Sequence, residues 1–104
     1  SKIIADWNAR DGTNFDSDVA ASSLLSLRGT LRANDRIKRS AKANSKRDFV
    51  NTVDDQTEEA LVENYDKNQE FYNFLLDHRE VRKDLVHLLV DDLYNGLRFA
   101  EDKS

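Results

Sequence analysis

The sequence predicts an all-α protein, a small bundle of about four helices with an irregular N-terminal segment and a basic linker. The 104 residues include no proline and only three glycines, so the residues that most often interrupt helices are scarce. Apolar residues also recur at spacings of three and four in several segments, as in amphipathic helices. A chain of this length is typical of a single domain.

The composition suggests a small core. Hydrophobic residues make up 38% and charged residues 35% of the chain, whereas globular domains average roughly 45–50% apolar and 25% charged residues. A supporting partner is therefore plausible. The absence of cysteine excludes disulfides, thiolate metal sites and cysteine nucleophiles.

The sequence shows no targeting or membrane signal. No apolar run approaches the roughly 18 residues of a membrane span, and no basic-then-apolar signal opens the chain. We expect a soluble, cytoplasmic chain with no membrane partner. Methionine is absent even at position 1, which favours a fragment of a longer polypeptide.

The first half divides into three predicted parts. Residues 1–16 form an irregular lead-in that ends in an Asx-rich turn around Gly12. Residues 17–33 form the first helix, capped by Asp16 or Ser17 and with Leu24 and Leu31 on its inward stripe. In residues 34–47 the apolar periodicity lapses, which predicts a basic linker that is a loop or a frayed helix.

Residues 48–99 form the predicted helical C-terminal region. Its first helix has an apolar face that includes Phe49 and Val53, opposite a row of acids. A second helix ends near Asp77. A third runs from about Glu80 to Leu97 and is apolar around much of its circumference, which indicates a central helix or one covered by a partner.

The net charge of −4 conceals two opposed segments. The basic segment, residues 28–47, holds eight cations against one acid, and the acidic segment, residues 48–66, holds seven acids and no base. An exposed cation cluster attracts phosphate locally because salt screens charges beyond about 8–10 Å. We expect contact with the phosphates of double-stranded DNA through six residues: Arg36, Lys38, Arg39, Lys42, Lys46 and Arg47. The alternative is that these cations neutralise the acidic helix that follows.

No catalytic residue is predicted in the chain, and no cofactor or metal. Catalysis needs convergent groups of complementary roles. His78 and His87 are nine residues apart and would not share a helical face. No glycine-rich phosphate loop or nucleophile elbow is present.

The second half of the chain carries a recognisable pattern of residues: Asn44, Ser45, Lys46, Arg47, Asp48, Phe49, Asn68, Gln69, Glu70, Phe71, Asp77, Glu80, Val81, Arg82, Leu93, Tyr94, Leu97 and Arg98. With this pattern the chain resembles the C-terminal helical region of the motor and restriction (R) subunit of type I restriction-modification enzymes. The resemblance covers about residues 41–98, and Arg79 stands where that family often has a proline.

This resemblance implies a parent subunit that is an ATP-dependent DNA translocase and endonuclease using ATP and magnesium. None of its nuclease or motor motifs has a matching position here. The resemblance also implies docking onto the methyltransferase core of specificity and modification subunits. For the docking face we expect exposed residues of the last helix and its end: Val86, Val90, Tyr94 and Phe99.

Two other functions are compatible with the sequence. One is a stand-alone helical adaptor or DNA mimic, which the acidic helix would suit. The other is a small DNA-binding regulator, which is disfavoured because no compact helix-turn-helix is evident. The residues that precede Ser1 in the full reading frame would discriminate the adaptor from the R subunit.

Overall fold

The computed structural model describes residues 2–99, apart from the side chain of Lys67. All regular secondary structure in that part of the chain is helical, with no strand, which confirms the all-α class. Its elements are α1 (Lys2–Asp11), α2 (Ser17–Arg32), α3 (Asp35–Ala43), α4 (Lys46–Glu63), a 3-10 turn (Tyr65–Lys67), α5 (Gln69–Asp77) and α6 (Arg79–Arg98). The expected number of about four helices is too low, because apolar periodicity does not reveal α1 and α3.

Polar caps mark the helix starts in place of proline. The side chains of Asp16, Asn34, Ser45 and Asn68 each accept a hydrogen bond from a backbone N–H in the first turn of the helix that follows. Such a cap satisfies one of the amide groups that have no partner within the helix. The starts of α2, α3, α4 and α5 are therefore set by side-chain hydrogen bonds, whereas α6 begins without a side-chain cap.

The core lies between α4 and α6, with α2, α3 and α5 packed around them. Phe49 and Leu61 of α4 and Leu85 of α6 are fully buried. The molecule measures 42 × 24 × 22 Å. Tyr72 of α5 is also buried, and its burial raises the pKa of its hydroxyl.

The N-terminal lead-in is more ordered than predicted. Residues 2–11 form α1, which buries Ile4 and Trp7. The turn after α1 is held by Asn8, whose Oδ1 accepts hydrogen bonds from the Phe15 N–H (2.9 Å) and the Thr13 hydroxyl (2.8 Å). At Gly12 the φ angle is +69°, a left-handed conformation that glycine adopts without strain.

The predicted basic linker, residues 34–47, is largely a helix. α3 is capped by Asn34, and its buried face consists of Ile37, Ser40 and Ala41. Apolar periodicity did not reveal α3 because only two of these three buried residues are apolar. Of the two expected alternatives, a loop or a frayed helix, the loop is therefore wrong for residues 35–43, which form a helix with an exposed outer face.

A buried arginine stands at the corner between α5 and α6. Arg82 is 8% exposed, and its Nη1 donates to the backbone carbonyls of Leu75 (2.8 Å) and Leu76 in the last turn of α5. Its Nη2 donates to Glu58 of α4 at 3.1 Å. Because the last carbonyls of a helix lack intrahelical donors, Arg82 caps α5 and ties three helices together.

Candidate nucleic-acid interface

Four cations share the outer face of α3. At about 100° per residue, the side chains of Arg36, Lys38, Arg39 and Lys42 fall within an arc of about 160°. All four are exposed, and the buried residues of α3 lie on the opposite side. We call these four residues the α3 surface.

Three cations of the α3 surface are available to an external anion. Within residues 2–99, Arg36, Lys38 and Arg39 have no acidic side chain within ion-pair distance. These three residues therefore form no direct ion pair with the acidic helix. Arg36 and Arg39 do line the same cleft as Asp55 of α4, so the alternative of mutual neutralisation stays open.

The other two predicted DNA-facing cations lie in the first turn of α4. Lys46 forms an ion pair with Asp91 of α6. Arg47 is exposed and has no acidic partner in the described part of the chain. The six predicted residues thus occupy two adjacent helix segments separated only by Asn44 and Ser45, and Lys46 is already paired.

A polar network fixes α3 against α4. The Ser40 hydroxyl donates to Thr52 Oγ1 at 3.2 Å and accepts from the Asn44 amide at 2.9 Å. The Asn34 amide donates to Gln56 Oε1 at 2.8 Å. These contacts lie along an open cleft of about 410 Å³ lined by Arg36, Arg39, Ser40, Ala43, Asn44, Thr52, Asp55 and Gln56.

Arg98 holds the C-terminal end of α3. Its Nη1 donates to the carbonyl of Ala41 at 3.3 Å and to the Tyr94 hydroxyl at 2.9 Å. The Tyr94 ring in turn packs against Phe49, with ring centroids 5.1 Å apart. Apolar periodicity carries no signal for these contacts of Arg98. The start of α3 was predictable, because Asn34 before Asp35 is a typical helix N-cap.

The expected docking face is wrong in part. Val86 is 3% exposed and Val90 is 4% exposed, because both pack into the core and cannot meet a partner. Tyr94 is half-buried against Phe49. Phe99, at 70% exposure, is the one of the four that is fully accessible.

Exposed apolar surface lies instead between α2 and α6. Leu25 is 67% exposed and Leu88 is 54% exposed. Both line a groove of about 390 Å³, beside the ion pair between Arg28 and Asp92. The apolar residues around the circumference of the last helix therefore fall into two groups. Some are buried in the core, and others border this groove.

Comparisons with models of protein families, with curated proteins and with solved structures found no match for this chain. Among the described residues, no helix combines the length and the apolar character needed to cross a bilayer.

Proposed function

We propose that this chain contacts the DNA backbone through the α3 surface and Arg47. The observation that carries the proposal is the row of exposed cations on α3, three of which have no acidic partner within residues 2–99. Lysine and arginine side chains bind phosphates and release counterions, which gives affinity without sequence preference. α3 holds no aromatic residue, so base stacking is not expected.

We propose further that the chain is the C-terminal region of a type I restriction R subunit, as its resemblance implies. ATP and magnesium then serve the parent subunit, and this region contributes DNA contact and assembly with the methyltransferase core. The support for assembly is the groove bordered by Leu25 and Leu88, whose exposed side chains would bury apolar area against a partner.

The DNA proposal is tested by reversing two charges of the α3 surface. In the Lys38→Glu/Arg39→Glu variant, duplex affinity at low salt should fall at least about tenfold, since attraction to two phosphates is replaced by repulsion. The slope of log affinity against log salt should become shallower by about 1.8, at roughly 0.9 for each phosphate that the variant no longer neutralises. Fluorescence anisotropy with an unrelated 20-base-pair duplex at several salt concentrations measures both quantities.

The matched control is Arg79→Glu/Lys83→Glu, which makes the same change in net charge at exposed positions of α6. This control should keep most of the affinity. An equal loss in both variants would reduce the effect to net charge, and an unchanged affinity in the α3 variant would refute the interface.

The assembly proposal is tested in the parent subunit with Leu25→Asp/Leu88→Asp. Co-purification with the methyltransferase core should be lost, because two carboxylates would be buried in the interface without partners. Val62→Asp is the control, since Val62 is similarly exposed (64%) but lies on α4. Normal co-purification of the double variant would contradict docking through this groove.

A further inference from the structure

Three potential metal ligands from distant parts of the sequence meet at the corner between α5 and α6. Asp11 ends α1, His78 separates α5 from α6, and Glu80 lies in the first turn of α6. One ring nitrogen of His78 and one carboxylate oxygen of each acid lie within 4.8 Å of one another. Asp11 and His78 are half-buried and Glu80 is exposed, so the cluster opens to solvent on one side.

The hydrogen bonding of His78 leaves one ring nitrogen able to coordinate an ion. Its Nδ1 lies 2.9 Å from the backbone carbonyl of Phe74, and a carbonyl oxygen only accepts, so Nδ1 carries the proton. In the neutral ring, Nε2 then holds a lone pair. A hydrogen bond from the second ring nitrogen to a backbone carbonyl is a common way to orient a metal-binding histidine.

The charges at the cluster also suit a divalent ion. Two carboxylates and a neutral imidazole balance a charge of +2. Arg10 Nε donates to Asp11 Oδ2 at 3.3 Å, which leaves Oδ1 of that carboxylate for a metal. One nitrogen and two oxygens suit first-row transition ions, with water completing the shell on the open side.

We infer that Asp11, His78 and Glu80 form a binding site for a divalent transition-metal ion that fastens the end of α1 to the corner between α5 and α6. The ligand atoms lie within 4.8 Å of one another, and donors bonded at 2.0–2.2 Å to a tetrahedral ion lie roughly 3.3–3.6 Å apart, so any closure that binding requires is small. Glu80 is exposed and Asp11 precedes the turn at Gly12, so side-chain rotation can supply that closure. The site is independent of the proposed DNA interface.

The test uses Zn²⁺ alone as the probe. For the wild-type chain, isothermal titration calorimetry should detect one site. Above the dissociation constant, each tenfold increase in the Zn²⁺ concentration should raise the thermal midpoint, followed by circular dichroism, by roughly 5–10 °C. In His78→Gln and Glu80→Gln the affinity should fall at least about tenfold.

The second histidine provides the matched control. His87 is exposed on α6, and His87→Gln should bind Zn²⁺ as the wild type does. Each variant is compared with its own metal-free midpoint, so a change in fold stability is separated from a loss of binding. Wild-type binding that is absent, or that survives in both His78→Gln and Glu80→Gln, would overturn the inference, as would its loss in His87→Gln alone.

Discussion

The α3 surface and the corner between α5 and α6 use arginine in opposite ways. On α3, Arg36 and Arg39 are exposed and pair with no acid in residues 2–99. At the corner, Arg82 is buried and donates to two backbone carbonyls and to Glu58. Arginine is therefore available to an external ligand in one region, and in the other it links helices through buried hydrogen bonds.

This difference separates charges that serve the fold from charges that are available to a ligand. Removing a buried donor leaves acceptors unsatisfied, and this lowers the free energy of unfolding. Exposed charges contribute little to stability, because water and salt screen them. Mutations in the two regions should consequently have effects of different kinds, one on stability and the other on binding.

The largest effect on stability is expected for Arg82→Met, which keeps an apolar stem but removes the guanidinium. The carbonyls of Leu75 and Leu76 would lose their donor, so the free energy of unfolding should fall by roughly 2–3 kcal/mol. Urea denaturation followed by circular dichroism measures this change.

The control for this variant is Glu58→Gln, which weakens only the ion pair. Glu58 is 56% exposed at its side chain, so the expected loss is less than about 1 kcal/mol. If Arg82→Met lowers the free energy of unfolding by less than about 0.5 kcal/mol, then Arg82 is dispensable for stability and does not differ from the exposed arginines of α3 in this respect.

A smaller effect is expected at the base of the α3 surface, for Asn34→Ala. This change removes the cap on Ile37 N–H and the hydrogen bond to Gln56, at a cost of about 1–2 kcal/mol. Duplex affinity should also fall, since fraying of α3 would disperse its cations. Urea denaturation and fluorescence anisotropy measure the two effects separately.

The comparison for Asn34→Ala is Asn51→Ala, a substitution at an exposed position of α4 that should change stability by less than about 0.5 kcal/mol. If Asn34→Ala loses stability but keeps its full duplex affinity, then the cations bind without an ordered α3. That result would show that DNA binding does not depend on the helical arrangement of the α3 surface.

Much of the fold followed from apolar periodicity. The stripe through Leu24 and Leu31 predicted α2, and that through Phe49 and Val53 predicted α4. The helix α3 was not predicted because its buried apolar residues are only Ile37 and Ala41, and hydrogen bonds of Ser40, Asn34 and Arg98 complete its attachment. Periodicity in one segment cannot reveal hydrogen bonds to residues 12 to 57 positions away.

Only part of the candidate site was predictable, because exposure follows from residue type more reliably than burial does. Exposure of Lys38 and Arg39 follows from charge alone, because lysine and arginine are seldom fully buried. The burial of Val86 and Val90 depends on which neighbours cover α6, and that information lies in the tertiary packing. Arg82, which is buried against the usual tendency, shows that charge by itself does not assign a residue to the surface.

The single tryptophan gives the molecule an internal optical reporter. Trp7 of α1 is 2% exposed, its Nε1 donates to Asp84 of α6 at 3.3 Å, and its ring centroid lies 6.5 Å from that of Phe74. The wavelength of its fluorescence emission depends on whether water reaches the indole ring. Detachment of α1 would therefore be visible as a red shift, even while the other helices remain folded.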